Sequence, residues 1–361
     1  MSKVNFRTTV SINEVKDIIR ATGDVVTNVI ISEPGVGKSS LLGMLQQDMG
    51  TEHYDFIYVD CPVKDMMDIA ASIPNHQSKA LEYYVSSLFK MGNGKKKVIM
   101  LDELMKAPKL MQILFTRLML ERTVGDVPLP EGSIVFATSN NASDGVGDSM
   151  LDHAGNRVCK LYMRKASNEE WNMWASVMVD GKPRVARSIR AWASMNPRAF
   201  ASYMDGDQDD NPYIFHPAKG GRQFVSPRSL TKASVFVEKK ALMSDNALTC
   251  ALAGTLGEAA AKSMAAFIAL ESKLIRAVDV MKDPEGVDVP EDVSALIMMM
   301  FDGVDYVKTQ DELVGYMKFV RRIPQAEVQS VFFTMIMRTK PRLGRYNESI
   351  QKWAADNHFL M

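Results

Sequence analysis

The fold of this 361-residue chain is decided by the stretch Val29-Ile30-Ile31-Ser32-Glu33-Pro34-Gly35-Val36-Gly37-Lys38-Ser39-Ser40. Three apolar residues lead into a loop that contains two glycines, and a helical pattern begins directly after the second serine. A strand, a glycine-rich loop and a helix in this order form the setting of a phosphate-binding loop. Glycines let successive backbone N–H groups turn toward an anion, and the following helix N-terminus adds partial positive charge. The stretch therefore predicts a site for the phosphates of a nucleotide.

The polar residues of this loop have predicted roles at a bound nucleotide. We expect Lys38 to reach the β- and γ-phosphates and the Ser39 hydroxyl to be a ligand of Mg²⁺. The remaining nucleotide contacts are assigned to Glu33, Pro34, Gly35, Val36, Gly37 and Ser40. Ser32 stands where the pattern G-x-x-x-x-G-K-[ST] has its first glycine, which is a minor departure because serine tolerates turn geometry. A glycine-rich turn that binds nothing is the alternative, and the second motif disfavours it.

That second motif is a pair of carboxylates after another apolar strand. Residues 98–101 are apolar, and Asp102 and Glu103 follow them directly. A buried strand that ends in this way places both carboxylates at the carboxyl edge of a parallel sheet, where ligands bind in open α/β folds. We expect Asp102 to hold Mg²⁺, directly or through water, and Glu103 to polarise the water that attacks the γ-phosphate. An acidic strand end alone is common, and its pairing with the phosphate loop makes the assignment specific.

The pattern of apolar runs predicts how the chain is organised. Residues 10–165 alternate short apolar strands with helical patterns, which is typical of a parallel α/β sheet. The predicted strands are residues 28–31, 55–60, 98–102, 133–138 and 158–163. From about residue 167 the pattern becomes helical. We therefore predict a nucleotide-binding α/β core with a five-stranded parallel sheet over 1–165, an all-α lid over 166–270 and a C-terminal helical region over 271–361.

Composition limits the other classes of function. Lys and Arg number 43 and Asp and Glu also number 43, so no net field draws the chain to nucleic acid or to an anionic membrane. The three cysteines lack C-x-x-C spacing, which suits a reducing cytosol and disfavours a disulfide framework or a zinc site. A polar N-terminus and the lack of a long apolar run predict a cytoplasmic protein without a membrane span. Arg184, Arg187 and Arg190 fall at helical spacing and predict a solvated basic face.

With both motifs in place, the chain resembles an AAA+ P-loop ATPase, and within that class the MoxR-like ATPases. Residues 33–39 match the family pattern G-E-P-G-x-G-K-[ST] from its second letter, and residues 102–108 resemble its D-E-x-x-x-A-P. Residues 118–126 resemble the helix and hairpin that precede the sensor 1 strand. The resemblance implies ATP and Mg²⁺ as cofactors and a homo-oligomeric ring, expected to be a hexamer.

The resemblance also implicates three residues outside the two motifs. Residues 136–140 resemble the sensor 1 strand, which puts Asn140 where it would orient the attacking water. Residues 151–157 resemble the segment that ends in the arginine finger, which implicates Arg157, with Arg164 as the alternative because Val158 replaces the usual Phe. Residues 226–229 match the S-P-R of sensor 2, which implicates Arg228. Taken singly, the asparagine could be a turn former and the arginines ordinary ion-pair partners.

Three functions are compatible with these motifs. The first is ATP-driven remodelling of a protein, because the resemblance extends to a bacterial and phage branch that often sits beside von Willebrand factor A-type proteins. Segments 62–76 and 122–130 are its candidate contacts with the target. The second is a DNA-transaction ATPase, such as a helicase loader or replication accessory, which zero net charge and the lack of a recognisable DNA-binding module disfavour. The third is a nucleotide-gated scaffold with little turnover, which the presence of Asp102, Glu103 and Asn140 disfavours.

Overall fold

The computed structural model describes residues 8–141, 156–271 and 273–357 of the chain. It has two compact units, Met1–Lys165 and Ala166–Met361. The first unit combines a parallel sheet with helices, and the second unit is predominantly helical. The predicted fold class, an α/β core with a parallel sheet followed by helices, is therefore confirmed.

The first unit is built on one six-stranded sheet. The strands of the unit are β1 (Thr9–Val10), β2 (Asn28–Ser32), β3 (Tyr54–Asp60), β4 (Ala70–Asn75), β5 (Ala80–Val85), β6 (Lys96–Asp102), β7 (Thr123–Val124), β8 (Val127–Pro128), β9 (Ile134–Asn140) and β10 (Cys159–Met163). Its helices are α1 (Ile12–Thr22), α2 (Leu41–Met49) and α3 (Lys109–Glu121). The strand order of the large sheet is β1-β10-β2-β9-β6-β3, and all neighbours are parallel. The five predicted strands are all present, and the predicted number was wrong by one, because the two-residue edge strand β1 carries no apolar pattern.

Helices cover both faces of this sheet. Side chains of α1 and α2, such as Ile19 and Leu45, pack with Ile30, Met100 and Phe136 on one face. The opposite face packs against α3. A strand that is covered on both faces is apolar along its whole length, which explains why the sequence pattern identified β2, β6 and β9.

Two antiparallel hairpins extend from the unit. The hairpin β7–β8 turns at Gly125, whose φ of 60° lies in the left-handed region, and it confirms the hairpin predicted there. The hairpin β4–β5 was not predicted, because its side chains are mostly exposed. A Cβ atom at Gly125 would lie 3.1 Å from the ring of Tyr83, so the two hairpins are in contact. Apolar side chains are exposed on and before the unpredicted hairpin: Met66, Met67, Ile73, Leu81 and Tyr84.

The second unit packs its helices around one apolar core. Its helices are α4 (Asn168–Ala175), α5 (Arg187–Met195), α6 (Pro227–Glu238), α7 (Asp245–Leu256), α8 (Glu258–Glu271), α9 (Ala277–Val280), α10 (Val293–Tyr306), α11 (Gln310–Val320), α12 (Ala326–Thr339), α13 (Pro341–Gly344) and α14 (Glu348–Asp356). A short hairpin of β11 (Met178–Val179) and β12 (Lys182–Pro183) follows α4. Throughout the described ranges, no helix combines the length and hydropathy needed to cross a bilayer.

Arg190 lies inside this core, and the predicted solvated basic face is therefore wrong at this position. Its side chain is fully buried, and its guanidinium donates hydrogen bonds to both carboxylate oxygens of Asp305. Further hydrogen bonds run to the Val185 carbonyl at 2.9 Å and the Ser176 hydroxyl at 3.0 Å. The sequence could not reveal this burial, because the residue that neutralises the charge lies 115 positions away.

We expect Asp305→Ala to lower the free energy of unfolding of the second unit by about 3–5 kcal/mol, because it leaves a buried guanidinium without its counter-ion. All four tryptophans lie in this unit, so urea titration followed by tryptophan fluorescence reports its stability. Asp279→Ala, which removes an exposed ion pair with Lys282, is the control and should leave the transition nearly unchanged. Equal effects of the two variants would contradict a structural role for the buried pair.

Candidate functional site

The predicted phosphate-binding loop joins β2 to α2. It begins after Ser32, passes through a 3-10 turn at Lys38–Ser40 and continues directly into the helix. Gly35 and Gly37 have φ values of 78° and 106°, a backbone conformation that favours glycine. Val36 between them is buried in the core, which fixes the loop to the sheet. The structure therefore has the strand, the loop and the helix that the motif requires.

Lys38 is held beneath this loop. Its side chain is buried, and Nζ donates hydrogen bonds to the carbonyls of Ser32 at 3.1 Å and Glu33 at 2.9 Å. It also donates to the Ser32 hydroxyl at 3.1 Å and to Oδ1 of Asn140 at 2.8 Å. The departure from the glycine pattern at position 32 thus supplies a hydroxyl acceptor, which glycine cannot supply. Charged phosphate oxygens form stronger hydrogen bonds with an ammonium group than these neutral acceptors do, so a nucleotide could displace them.

Asn140 reaches the loop because β9 is the neighbour of β2. The two strands are paired in register up to Ser32 and Asn140, which lie side by side at the carboxyl edge. The next strand in the sheet is β6, which ends at Asp102. Three neighbouring strands therefore end together at the loop, and each contributes a polar group to the same place.

Asp102 is the centre of a small hydroxyl cluster. The residue is 5% exposed, and its Oδ2 accepts hydrogen bonds from Ser39 Oγ at 3.1 Å and Tyr58 OH at 2.8 Å. Its Oδ1 accepts a short hydrogen bond from Thr138 Oγ1. Burial, and then the hydrogen bond to Asp102, raises the pKa of Tyr58, so the phenol stays protonated and donates. Tyr58 and Thr138 were not predicted, although each is a polar side chain near the end of an apolar strand.

Glu103 occupies a different position from the hydroxyl cluster. Its backbone is in the left-handed region with φ of 53°, and its N–H donates to Thr138 Oγ1 at 3.4 Å. The carboxylate forms an ion pair with Lys106 at 2.8 Å, and both side chains are partly exposed. The two adjacent carboxylates therefore have separate surroundings, one buried among hydroxyls and one near solvent.

The oxygen groups at this site fit Mg²⁺ bound together with a nucleotide. Mg²⁺ in such sites takes one or two protein oxygens and completes its shell with phosphates and waters. The Ser39 hydroxyl and the Asp102 carboxylate, 3.1 Å apart, provide such oxygens. Within the part of the chain that the structure describes, no group of three or more His, Cys, Asp or Glu side chains could form a separate metal site.

The three predicted arginines occupy different positions: Arg157 and Arg164 flank opposite ends of β10, and Arg228 lies in the second unit. Arg157 is exposed and precedes β10, which places it at the amino edge of the sheet. Residues 151–155 of the segment that resembles the finger lie outside the described residues. Arg164 is exposed directly after β10, at the carboxyl edge, and its N–H donates to the Val10 carbonyl at 2.9 Å. Arg228 is exposed in the first turn of α6 in the second unit, which begins with a capping box formed by Ser226 and Ser229.

Comparisons with known proteins give resemblances at the level of structure alone. No protein-family model and no curated protein matches the chain. A proposed ATPase from Cytophaga hutchinsonii is 20% identical over 44% of this chain, with a TM-score of 0.33, and the match spans 47% of that protein's length. RuvB from Thermotoga maritima, in a mutant form, is 12% identical over 81% of this chain and 74% of its own, with a TM-score of 0.34. NtrX from Brucella abortus in complex with ADP is 10% identical over 98% of this chain and 67% of its own, with a TM-score of 0.41. All three TM-scores lie below 0.5, so the function proposed below rests on the geometry of the site.

Proposed function

We propose that this chain is a Mg²⁺-dependent ATPase of the MoxR-like AAA+ type, which works in the cytoplasm as a homo-oligomeric ring and remodels a protein partner. The observation that carries the proposal is the meeting of Lys38, Ser39, Asp102 and Asn140 at the loop between β2 and α2. The four residues belong to three motifs far apart in the chain, and the sheet brings these motifs together. A glycine-rich turn that binds no nucleotide would not require these four side chains to lie together.

The chain's own residues divide the work of phosphoryl transfer. Lys38 neutralises charge on the β- and γ-phosphates, while Ser39 and Asp102 hold the metal beside them. Bound Mg²⁺ would withdraw charge from the phosphate oxygens as the bond to the leaving group breaks. Because Oδ1 of Asn140 faces Lys38, its amide nitrogen remains as a donor that can orient the attacking water or the γ-phosphate.

Glu103 is the general base in this proposal. It follows Asp102 directly, so it lies beside the metal position, and its carboxylate takes no part in the hydroxyl cluster. Its carboxylate is paired with Lys106, and in the reaction it exchanges this partner for the water that attacks the γ-phosphate. This exchange of partners costs little free energy, because a partly exposed ion pair contributes little to stability.

The position of Arg157 supports a ring. Strand β10 separates this arginine from the carboxyl edge by five residues, about 16 Å at the usual rise of a strand. Arg157 therefore cannot serve the site of its own subunit and is free to serve a neighbour's site. Arg164 lies at the same edge as the site, which makes it the weaker candidate for a group supplied by a neighbour.

The exposed apolar side chains of the β4–β5 hairpin and the segment before it support a protein as the target. They include Met67, Leu81 and Tyr84, each more than half exposed. Large exposed apolar patches are typical of sites that bind other proteins, and these side chains are the candidates for such a patch. We propose a von Willebrand factor A-type protein as the partner, on the resemblance stated above, and we assign Arg228 to sensing the γ-phosphate.

We expect the purified protein to hydrolyse ATP with Mg²⁺ and to assemble when a slowly hydrolysed ATP analogue is bound, because a neighbour's arginine then bridges two subunits. Sedimentation velocity with and without the analogue measures the assembly. Lys38→Ala, which cannot clamp the phosphates, is the control and should stay small in both conditions. A wild-type protein that hydrolyses ATP and yet remains a monomer at the same concentration would contradict the ring.

A further inference from the structure

Tyr58 stands beside the predicted motif residues without belonging to either motif. It lies on β3, the edge strand next to β6, and its hydroxyl donates to Oδ2 of Asp102 at 2.8 Å. The phenol is 45% exposed, whereas the carboxylate it contacts is almost fully buried. The ring therefore lies between Asp102 and solvent.

The hydrogen bonds to Asp102 leave the carboxylate with little freedom. An ionised carboxylate has about four acceptor positions. Ser39 and Tyr58 occupy two positions at Oδ2, and Thr138 occupies one at Oδ1. The remaining position is at Oδ1, so the three donors fix both the rotation of the carboxylate and the direction in which it can accept a further contact.

The three hydroxyl groups that donate to Asp102 differ in whether they can also bind a metal ion. The Ser39 hydroxyl gives its hydrogen to Asp102 and keeps oxygen lone pairs for a cation. Tyr58 and Thr138 approach from the neighbouring strands β3 and β9, so they hold the carboxylate from either side of β6. Without the phenol, Oδ2 keeps one hydrogen bond, and the carboxylate can turn away from the position beside Ser39.

We propose that Tyr58 is a positioning residue for Mg²⁺, which acts by fixing Asp102 at the metal site. The inference rests on the proposed function, because it assumes that the metal binds with a nucleotide at Ser39 and Asp102. It adds a residue on β3 to the cluster of Lys38, Ser39, Asp102 and Asn140, whose members come from the loop region, β6 and β9. No contact with the metal is assigned to Tyr58 itself.

The test measures metal binding without turnover. Mn²⁺ is titrated into the full chain saturated with ADP, and free Mn²⁺ is followed by electron paramagnetic resonance. We expect Tyr58→Phe to raise the dissociation constant of Mn²⁺ about tenfold, because a hydrogen bond to a charged group is lost. The affinity for ADP in the presence of a chelator should stay within about twofold, since no nucleotide contact is assigned to the phenol. Tyr54→Phe on the same strand is the matched control, because the ring of Tyr54 packs near Phe56, and it should behave as the wild type.

The outcomes of this test distinguish failure of the positioning role from failure of the proposed function. A wild-type Mn²⁺ affinity in Tyr58→Phe, or a tighter one, would overturn the positioning role while leaving the proposed function intact. Loss of ADP binding with the chelator present would show that the phenol maintains the structure of the site in general, which also overturns the inference. A wild-type chain that binds neither ADP nor Mn²⁺ with ADP would overturn the proposed function itself.

Discussion

Glu103→Gln is expected to lower the rate of ATP hydrolysis by about 10²–10⁴-fold while ATP remains bound, because the amide keeps the shape of the side chain and cannot accept a proton from water. Its carboxylate lies outside the hydroxyl cluster around Asp102, so the metal and phosphate contacts should persist. Single-turnover hydrolysis and equilibrium binding of a fluorescent ATP analogue measure the two effects separately.

Two further variants make this result specific. Glu121→Gln alters a partly exposed glutamate on α3 that pairs with Arg117, and it should hydrolyse ATP at the wild-type rate. Lys38→Ala should fail at the earlier step, with weakened nucleotide binding, because the cation beneath the loop is gone. Hydrolysis by Glu103→Gln at the wild-type rate would show that another group activates the water and that the assignment of the second motif is wrong.

The parts of the site that the sequence predicted are those carried by buried strands. Strands β2, β6 and β9 each contain a run of buried apolar residues, so the strands could be recognised. Lys38 and Asp102 follow from the motifs after two of these runs, and Asn140 follows from the resemblance to the sensor 1 strand. The strand order could not be read in the same way, because it depends on long-range pairing. Tyr58 was missed for this reason: its contact with Asp102 exists only because β3 and β6 are neighbours.

The features that the sequence did not predict are an exposed hairpin and a buried charge whose counter-ion lies far along the chain. The β4–β5 hairpin has few buried side chains, so its two strands lack the continuous apolar run of a covered strand. Arg190 falls at the spacing of a surface stripe, and only the position of Asp305 on α10 shows that the charge is buried and paired. In both cases the local pattern was compatible with two environments, and tertiary contacts selected one of them.

Arg157→Ala is expected to bind ATP normally and to hydrolyse it slowly, because the proposed ring assigns the arginine to the site of a neighbouring subunit. Loss of an arginine finger costs on the order of 10³-fold or more in turnover in related phosphoryl-transfer systems. Arg157 is exposed at the amino edge of the sheet. Within the described part of the chain, we therefore expect its substitution to affect catalysis only through the lost contact with a neighbour's site.

Mixing two inactive variants tests this mechanism directly. Lys38→Ala has no working phosphate loop but keeps Arg157, whereas Arg157→Ala keeps a complete loop and lacks the finger. Where a Lys38→Ala subunit packs against an Arg157→Ala subunit that holds ATP, the arginine of the first faces the intact site of the second, so hydrolysis should return in proportion to these mixed contacts. The steady-state ATPase rate across a series of mixing ratios measures this recovery, and co-sedimentation of differently tagged subunits confirms mixing.

Arg164→Ala mixed with Lys38→Ala in the same way serves as the comparison, because Arg164 lies at the carboxyl edge beside its own site. Recovery only in the Arg164 mixture would move the finger to that residue, and no recovery in either mixture despite co-assembly would remove catalysis between subunits from the proposed function.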